Sequence, residues 1–407
     1  MIRPSRPVRL RPAEARKADG EPESSLDLER LLDRIASAVG DVTALLAIAQ
    51  QAGRSAPKPG DGRTAQLWEL LASVAAVDVA AARVMEPHLD AGAILAEAGT
   101  PEAFTGSWGV YAAEAPGTRL TAGPPASVGG QSSGGAPSPA DGESPNETKA
   151  GEAEDALTQG GAAEAGGAQP TGGASGVQLT GSKPWCSLAQ FVDHAVVTAH
   201  TETGGRAAFA VDLRAAGVTC DVPEWTSRGL REIPSGTVHF DGVPGVPLGG
   251  DGWYFQRPGF AWGGMGVAAC WLGGAVALGR HFEAALLRGA RSQREPDQVA
   301  LAALGEVDRI LTSTIRYLAR AADSVDAQLN GGAVGGWSEA LRVRGTVAAA
   351  VERVQLLVSQ NLGPGPLAFD ERYGKCMADL SLYVRQHHAT RDDAQLGVLT
   401  LKGEHAW

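Results

Sequence analysis

Two stretches of this 407-residue chain combine side chains whose types and spacing suit chemistry. The first is Trp185-Cys186-Ser187, within VQLTGSKPWCSLA (Val177–Ala189). Val177 and Leu179 alternate with Gln178 and Thr180, as a strand requires; Gly181 and Pro184 then break the run. An indole beside a hydroxyl on a rigid strand edge can cover a flat conjugated ring and hydrogen-bond to its margin. An ordinary core tryptophan is the plain alternative. The second is His387-His388, expected one turn after Tyr383 and Val384 and facing the stripe made by Leu380. Asp392 lies at i+4 from His388 and could hold its ring or raise its pKa. A solvent-facing pair on a terminal helix is the alternative here. His88, in Glu86-Pro87-His88, reads as a helix-end histidine rather than a site.

Composition narrows the class. A formal charge of −11 and the lack of any basic cluster with interleaved aromatics argue against a nucleic-acid partner. Cys186, Cys220, Cys270 and Cys376 are scattered without metal-ligand spacing, which fits reduced thiols in a cytoplasmic protein. The basic N-terminus lacks the apolar core of a signal peptide. Gly259–Gly279 is uncharged and long enough to span a bilayer, but its glycines favour a buried helix, so no membrane span is expected. Gly264, Gly266 and Ala269 have G-x-G-x-x-A spacing, yet helix rather than a βαβ unit follows, so a Rossmann site is rejected.

These residues are to be positioned by three successive regions. After a disordered tail (1–24) comes an N-terminal helical domain (25–104). Apolar residues recur at helical spacing over Leu26–Gln51 and Leu67–Met85. Glu86-Pro87-His88 should end the second run, a shorter helix following through Ile94–Glu97. A middle β-domain (105–250) should hold strands at Trp108–Glu114, Val177–Leu179, Ala195–His200, Ala207–Asp212, Val218–Val222 and Thr237–Phe240. It is interrupted over 122–175 by a Gly/Ala/Ser/Pro/Glu-rich insertion without one aromatic residue. That composition predicts disorder. From 251 to 407 the pattern is helical over Gly263–Leu287, Gln298–Leu329, Ser338–Leu362 and Lys375–Leu399, a four-helix bundle. The fold class is α+β, an antiparallel sheet between helical domains.

LTGSKPWCSLAQFVDHAVVTA resembles the acyl-CoA dehydrogenase segment G-x-K-x-W-I-T-N followed by a strand, and GLREIPSGTVHFDGVPGVPLG resembles the end of that family's β-domain. The resemblance covers most of Leu67–Leu399 apart from the insertion. It implies that Trp185 packs on the isoalloxazine of FAD and that the Ser187 hydroxyl meets flavin N5. It matches Gln298 to a glutamine near the FAD diphosphate. It also matches Gln360-Asn361-Leu362-Gly363-Pro364-Gly365 to a turn that meets the FAD of a partner subunit, although Pro364 removes one N–H donor. A helix start and a helix C-cap, respectively, explain the same residues. Among Arg280, Arg288, Arg291 and Arg294 no phosphate ligand stands out. The resemblance further implies an acyl-CoA or other thioester substrate, a redox partner, and a homo- or hetero-oligomer.

The family's first β-strand motif, T-E-P-x-x-G-S-D, is reduced here to Glu114 and small neighbours. The base departs further. Asp379 matches the aspartate of a terminal R-D pair whose arginine is here Ala378, and eight residues later stands His387 where the family keeps a glutamate. No carboxylate occupies Phe260–Leu278, the family's other location for it. The resemblance therefore implies α,β-dehydrogenation with His387, or His388 should the register slip, as base. Histidine there is also similar to flavin-dependent monooxygenases of the same fold. A non-catalytic subunit of a mixed oligomer is the third reading.

Overall fold

The computed structural model describes residues 6–11, 28–124, 176–222, 225–292, 295–328, 336–405 and 407. Most of the tail and insertion expected to be disordered lies outside those residues. The described chain forms two compact units. One comprises Met1–Trp108, Glu224–Pro234 and Arg257–Trp407, and the other Gly109–Pro223 and Ser235–Gln256.

The first unit is helical. Its early helices are α1 (Leu28–Ala38), α2 (Val42–Gly53), α3 (Thr64–Val77) and α4 (Val79–Glu97). Asp78 separates α3 from α4 as an N-cap, its carboxylate accepting the Ala81 N–H at 2.8 Å. Starting afresh there, α4 runs straight through Pro87, so the expected break at Glu86-Pro87-His88 does not occur. An interior proline costs a helical hydrogen bond; most of α4 is buried against its neighbours, and that packing outweighs the loss. Residues 6–11, expected within the disordered tail, are instead docked on α3. Ser73 Oγ accepts the Val8 N–H and Glu69 Oε1 accepts the N–H groups of Leu10 and Arg11.

The later helices are α6 (Pro258–Arg291), α7 (Gln298–Gln328), α8 (Trp337–Leu362), the short α9 (Pro364–Phe369), α10 (Glu371–Tyr383) and α11 (Thr390–Leu401). Helix α6 is central, packing on α3, α4, α7, α8 and α10. It is long and apolar enough to cross a membrane, but 83% of its most apolar window is buried. A Cβ on Gly273 would stand 2.1 Å from the Ala72 carbonyl oxygen, so glycine is what lets α3 and α6 approach. The helix expected over Lys375–Leu399 is broken. It ends at Tyr383, a 3-10 turn covers Val384–Gln386, and His387 is extended (φ −83°, ψ 122°) before α11 begins.

The second unit is a small barrel of β1 (Trp108–Tyr111), β2 (Leu120–Gly123), β3 (Val177–Ser187), β4 (His194–Thr201), β5 (Arg206–Asp212), β6 (Val218–Cys220) and β7 (Ser235–Leu248), with helix α5 (Trp253–Gln256) after it. The strand order is β1-β4-β2-β3-β7-β5, β4 also pairs with β5 to close the ring, and β6 adds to β7. The pair β2–β4 is parallel, whereas β2–β3, β3–β7, β4–β5, β5–β7 and β6–β7 are antiparallel. Ala122 and Gly123, expected in the insertion, belong to β2, paired with Leu179 and Gln178. Strand β3 does not stop at Gly181 but continues to Ser187, its register shifting between Leu179 and Gly181 and between Lys183 and Cys186. Leu120, Leu179, Val197, Val238 and Val243 fill the core.

Candidate functional site

In the sheet unit, the second register shift of β3 holds Trp185 out of the ladder. Its backbone is left-handed (φ 58°), which an L-residue adopts only at a cost of about 1 kcal/mol or more, and the residue is 58% exposed. Pro184 and Cys186 on either side are buried, so the bulge turns a single residue outward. Ser187 returns to register opposite Ser235, the two hydroxyl oxygens 2.8 Å apart. The Tyr111 hydroxyl donates to the Ser187 carbonyl at 3.0 Å and fixes the strand end. Cys186 faces inward, its thiol pKa raised by burial. It is a core residue.

Beneath this edge lies a charge cluster. Lys183 is wholly buried, and its Nζ donates to Glu114 Oε1 (2.6 Å) and Thr198 Oγ1 (3.0 Å). Arg206 donates to the same Glu114 oxygen at 2.8 Å. Burial lowers the Lys183 pKa to about 8 against the pull of Glu114. Glu114 and the lysine of the G-S-K-P-W stretch are thus partners, and their service is to hold β3 in place. Nothing along the chain points to Ser235, Tyr111 or Arg206 at this edge, because none is near Trp185 in sequence.

In the helical unit, the broken end of α10 carries His387 and His388. Asp392, buried in the first turn of α11, joins them: its Oδ2 is 3.5 Å from His387 Nε2, and its Oδ1 is 3.2 Å from His388 Nδ1. Asp392 Oδ2 also accepts the His388 N–H. Burial opposes the charge on Asp392, but the bond from His388 and the Arg344 guanidinium hold its pKa below the usual value. The His387 pKa is shifted down, first by burial and also by Arg344, against the pull of Asp392, which favours the neutral ring. The His387 side chain is only 10% exposed and its Nε2 makes no hydrogen bond. His388 is 54% exposed. The helix that carries Leu380 ends at Tyr383, so the two histidines do not continue its stripe as expected. Arg344, on α8, was not foreseen. It lies over the Trp271 ring (5.1 Å) and donates to the carbonyls of Gly264 and Gln386.

The remaining expected residues do not join either cluster. Gln298 and Gln360 are exposed on α7 and α8. Gly363 is the C-cap of α8, its N–H donated to Ser359 O at 3.0 Å, so that donor is already engaged. Arg280 holds the carbonyls of Arg6 and Pro7, Arg288 and Arg291 are exposed, and Arg294 lies outside the described residues. His88 is buried on α4 and stacked on Phe104 (4.6 Å), inside the helical core. Among the described residues no cluster could hold a metal ion.

No family model and no curated protein matches the chain. Solved structures do. KijD3 in complex with FMN and dTDP-3-amino-2,3,6-trideoxy-4-keto-3-methyl-D-glucose is 18% identical, with 93% of each chain covered and a TM-score of 0.63. The FMN-and-indole complex of TdsC from Paenibacillus sp. A11-2 is 16% identical, covering 93% of this chain and 98% of that one at a TM-score of 0.61. TdsC is described as a dibenzothiophene monooxygenase. A steroid ACAD (acyl-CoA dehydrogenase) is 19% identical, covering 91% and 92% at 0.58. The chain has the acyl-CoA dehydrogenase fold. Helices, sheet and helices follow in the order that the WCS, GLRE and Asp379 matches imply. At such low identity the likeness establishes fold and leaves chemistry to the residues.

Proposed function

We propose that the protein is a flavin-dependent oxidoreductase, that Trp185 is the platform for the flavin ring, and that His387 carries a proton for the substrate. The observation that carries this reading is Trp185 itself. A large indole held outward in left-handed backbone has no packing reason to be there, and strain of this kind collects at ligand sites. Its exposed face and the neighbouring Ser187–Ser235 hydroxyl pair suit a flat ring with polar edges. KijD3 and TdsC, of the same fold, bind FMN. The chemistry such a group supplies is two-electron transfer, with reaction of its reduced form with oxygen.

The residues fit the flavin ring better than they fit the rest of FAD. Gln298 and Gln360 are exposed, and the Gly363 N–H is spent on the cap. FMN is therefore expected to bind about as well as FAD.

Of the two reactions, monooxygenation is the better supported. A neutral imidazole has a lone pair that takes a proton near pH 7 and, once protonated, an N–H that can return it, so His387 can serve a polar substrate group first as acceptor and then as donor. A carboxylate is the base that α,β-dehydrogenation of an acyl thioester uses in the resembled family. That reaction is the second reading, favoured by the position of His387 eight residues after Asp379.

Titration of the purified protein with FMN and with FAD, followed by absorbance and fluorescence, tests the platform. Trp185→Ala is expected to weaken binding about tenfold, the stacking contribution of one ring. Ser187→Ala is expected chiefly to move the flavin potential. Oxygen consumption with reduced flavin, above the autoxidation of the free flavin, supports the monooxygenase. Anaerobic bleaching by an acyl-CoA supports the dehydrogenase. Loss of any affinity for either flavin in the wild type overturns both and leaves the non-catalytic subunit.

A further inference from the structure

We propose that Asp392 is the positioning residue of His387 and that, through it, the protonation of His387 is governed by solvent-facing His388. The two rings differ sharply in environment, one 10% exposed and the other 54% exposed, yet they share one buried carboxylate. Each carboxylate oxygen faces a different ring: Oδ2 is 3.5 Å from His387 Nε2, Oδ1 is 3.2 Å from His388 Nδ1. The carboxylate itself is clamped, since Oδ2 also accepts the backbone N–H of His388.

The turn that carries both histidines is held from outside. Arg344 on α8 donates to the Gln386 carbonyl, immediately before His387. Helix α8 passes close by: a Cβ on Gly345 would stand 3.5 Å from His387 Nε2 and 3.7 Å from Asp393 Oδ1. The charged or titratable groups acting on His387 are therefore Asp392 and Asp393 on α11, Arg344 on α8, and His388 beside it.

Two consequences follow from this arrangement. An ionised carboxylate facing Nε2 favours the tautomer with the proton on Nε2, which leaves the Nδ1 lone pair as the acceptor. The charge on Asp392 is also shared. When His388 is protonated, Asp392 is engaged by it and supports an imidazolium at His387 less; when His388 is neutral, that support returns. The two rings then titrate as a coupled pair rather than singly.

The test is a titration of the ¹⁵N-histidine-labelled full chain by NMR, read on the ring nitrogens, with the wild type, Asp392→Asn and His388→Gln. Asp392→Asn is expected to lower the His387 midpoint and to mix its tautomers. His388→Gln is expected to raise that midpoint and to turn a two-step curve into one step. Opposite shifts are the signature; a role confined to holding the turn would move both variants together or neither. Asp392→Glu is expected to restore part of the coupling. His388→Gln alters an exposed ring, so it keeps the proposal open to refutation even if Asp392→Asn unfolds the turn. A His387 titration that is single-step and unchanged in His388→Gln overturns the proposal.

The role in turnover rests on the proposed function, whereas the coupling does not, so the two can fail separately. If His387 carries the proton, Asp392→Asn is expected to lower kcat about tenfold or more, with KM little changed, and His388→Gln to shift the acid limb of the pH–rate profile upward. Coupling by NMR without either kinetic effect would sink the catalytic reading and leave the coupling in place.

Discussion

Glu86 and His88 stand two residues apart on α4, both buried, and their titrations pull stability in opposite directions. Burial lowers the His88 pKa from 6.5 to about 4. The unfolded chain therefore takes a proton below pH 6.5 that the folded one refuses, and stability falls by about 3 kcal/mol as pH drops from 6.5 to 4. His88→Leu is expected to remove that fall, measured as the difference between urea midpoints of variant and wild type across pH 4–7. Glu86 behaves inversely. Burial, only partly offset by Arg83, raises its pKa from 4.5 to about 7. The folded state holds a proton that the unfolded state has lost, so its contribution is complete below pH 4.5 and disappears as pH rises through 7. Glu86→Gln is expected to gain stability over the wild type at pH 8 and to match it near pH 4.5. Equal differences at both pH values would mean that Glu86 is ionised in the fold. These two residues also show what a sequence conceals. The Glu86-Pro87-His88 string has the composition of a helix end, and only its burial reveals that it lies in a helix interior.

Helices and strands were legible where one period governed them, and not where a distant side chain decided. The repeats of Leu, Val and Ala marked α7 and α8 closely, whereas the single run expected over Leu67–Met85 divides at Asp78 into α3 and α4. The break at His387 could not be read, because it depends on Arg344 taking the Gln386 carbonyl and on Asp392 reaching back to His388. Strand β3 was cut short for the opposite reason: Gly181 and Pro184 mimic a turn, but the pairing with β7 absorbs them as bulges. The matches at GLRE and at Asp379 were separate on the page of the sequence and meet in the fold. Asp379 Oδ1 accepts the Leu230 N–H at 2.6 Å, and Lys375 bridges Asp379, Asp78 and Glu232. A Cβ on Gly229 would stand 2.1 Å from the Ala378 carbonyl oxygen. Asp379→Ala leaves a buried ammonium short of one partner and an N–H without its acceptor, so a loss of about 3–5 kcal/mol is expected in denaturant unfolding. Gly229→Ala is expected to destabilise as well, by forcing the 225–234 segment off α10. If Asp379→Ala unfolds at the wild-type midpoint, the network does not anchor that segment.

Over the whole molecule, neither compact unit is one continuous stretch of chain, and the sequence shows this only in part. The charge and composition at 122–175 announce an interruption, but not where in the sheet it falls. The register answers that. Gly123 pairs with Gln178 across an antiparallel ladder, so residues 125–175 leave and re-enter the sheet at neighbouring strand ends. A short turn can bridge those ends directly. Replacing 125–175 by a short Gly/Ser turn shortens the connection about twelvefold, which lowers the closure entropy by about 2 kcal/mol. The shortened protein is accordingly expected to melt at the parent's temperature or a few degrees above it, with the same far-UV circular dichroism and the same affinity for FMN. The strands that carry Trp185 and Ser187 keep every pairing in that variant, which is why binding should not change. A fall in melting temperature, or loss of solubility, would show that the segment covers apolar surface. Retained stability with lost FMN binding would instead place part of 125–175 at the flavin, and the platform would then extend beyond β3.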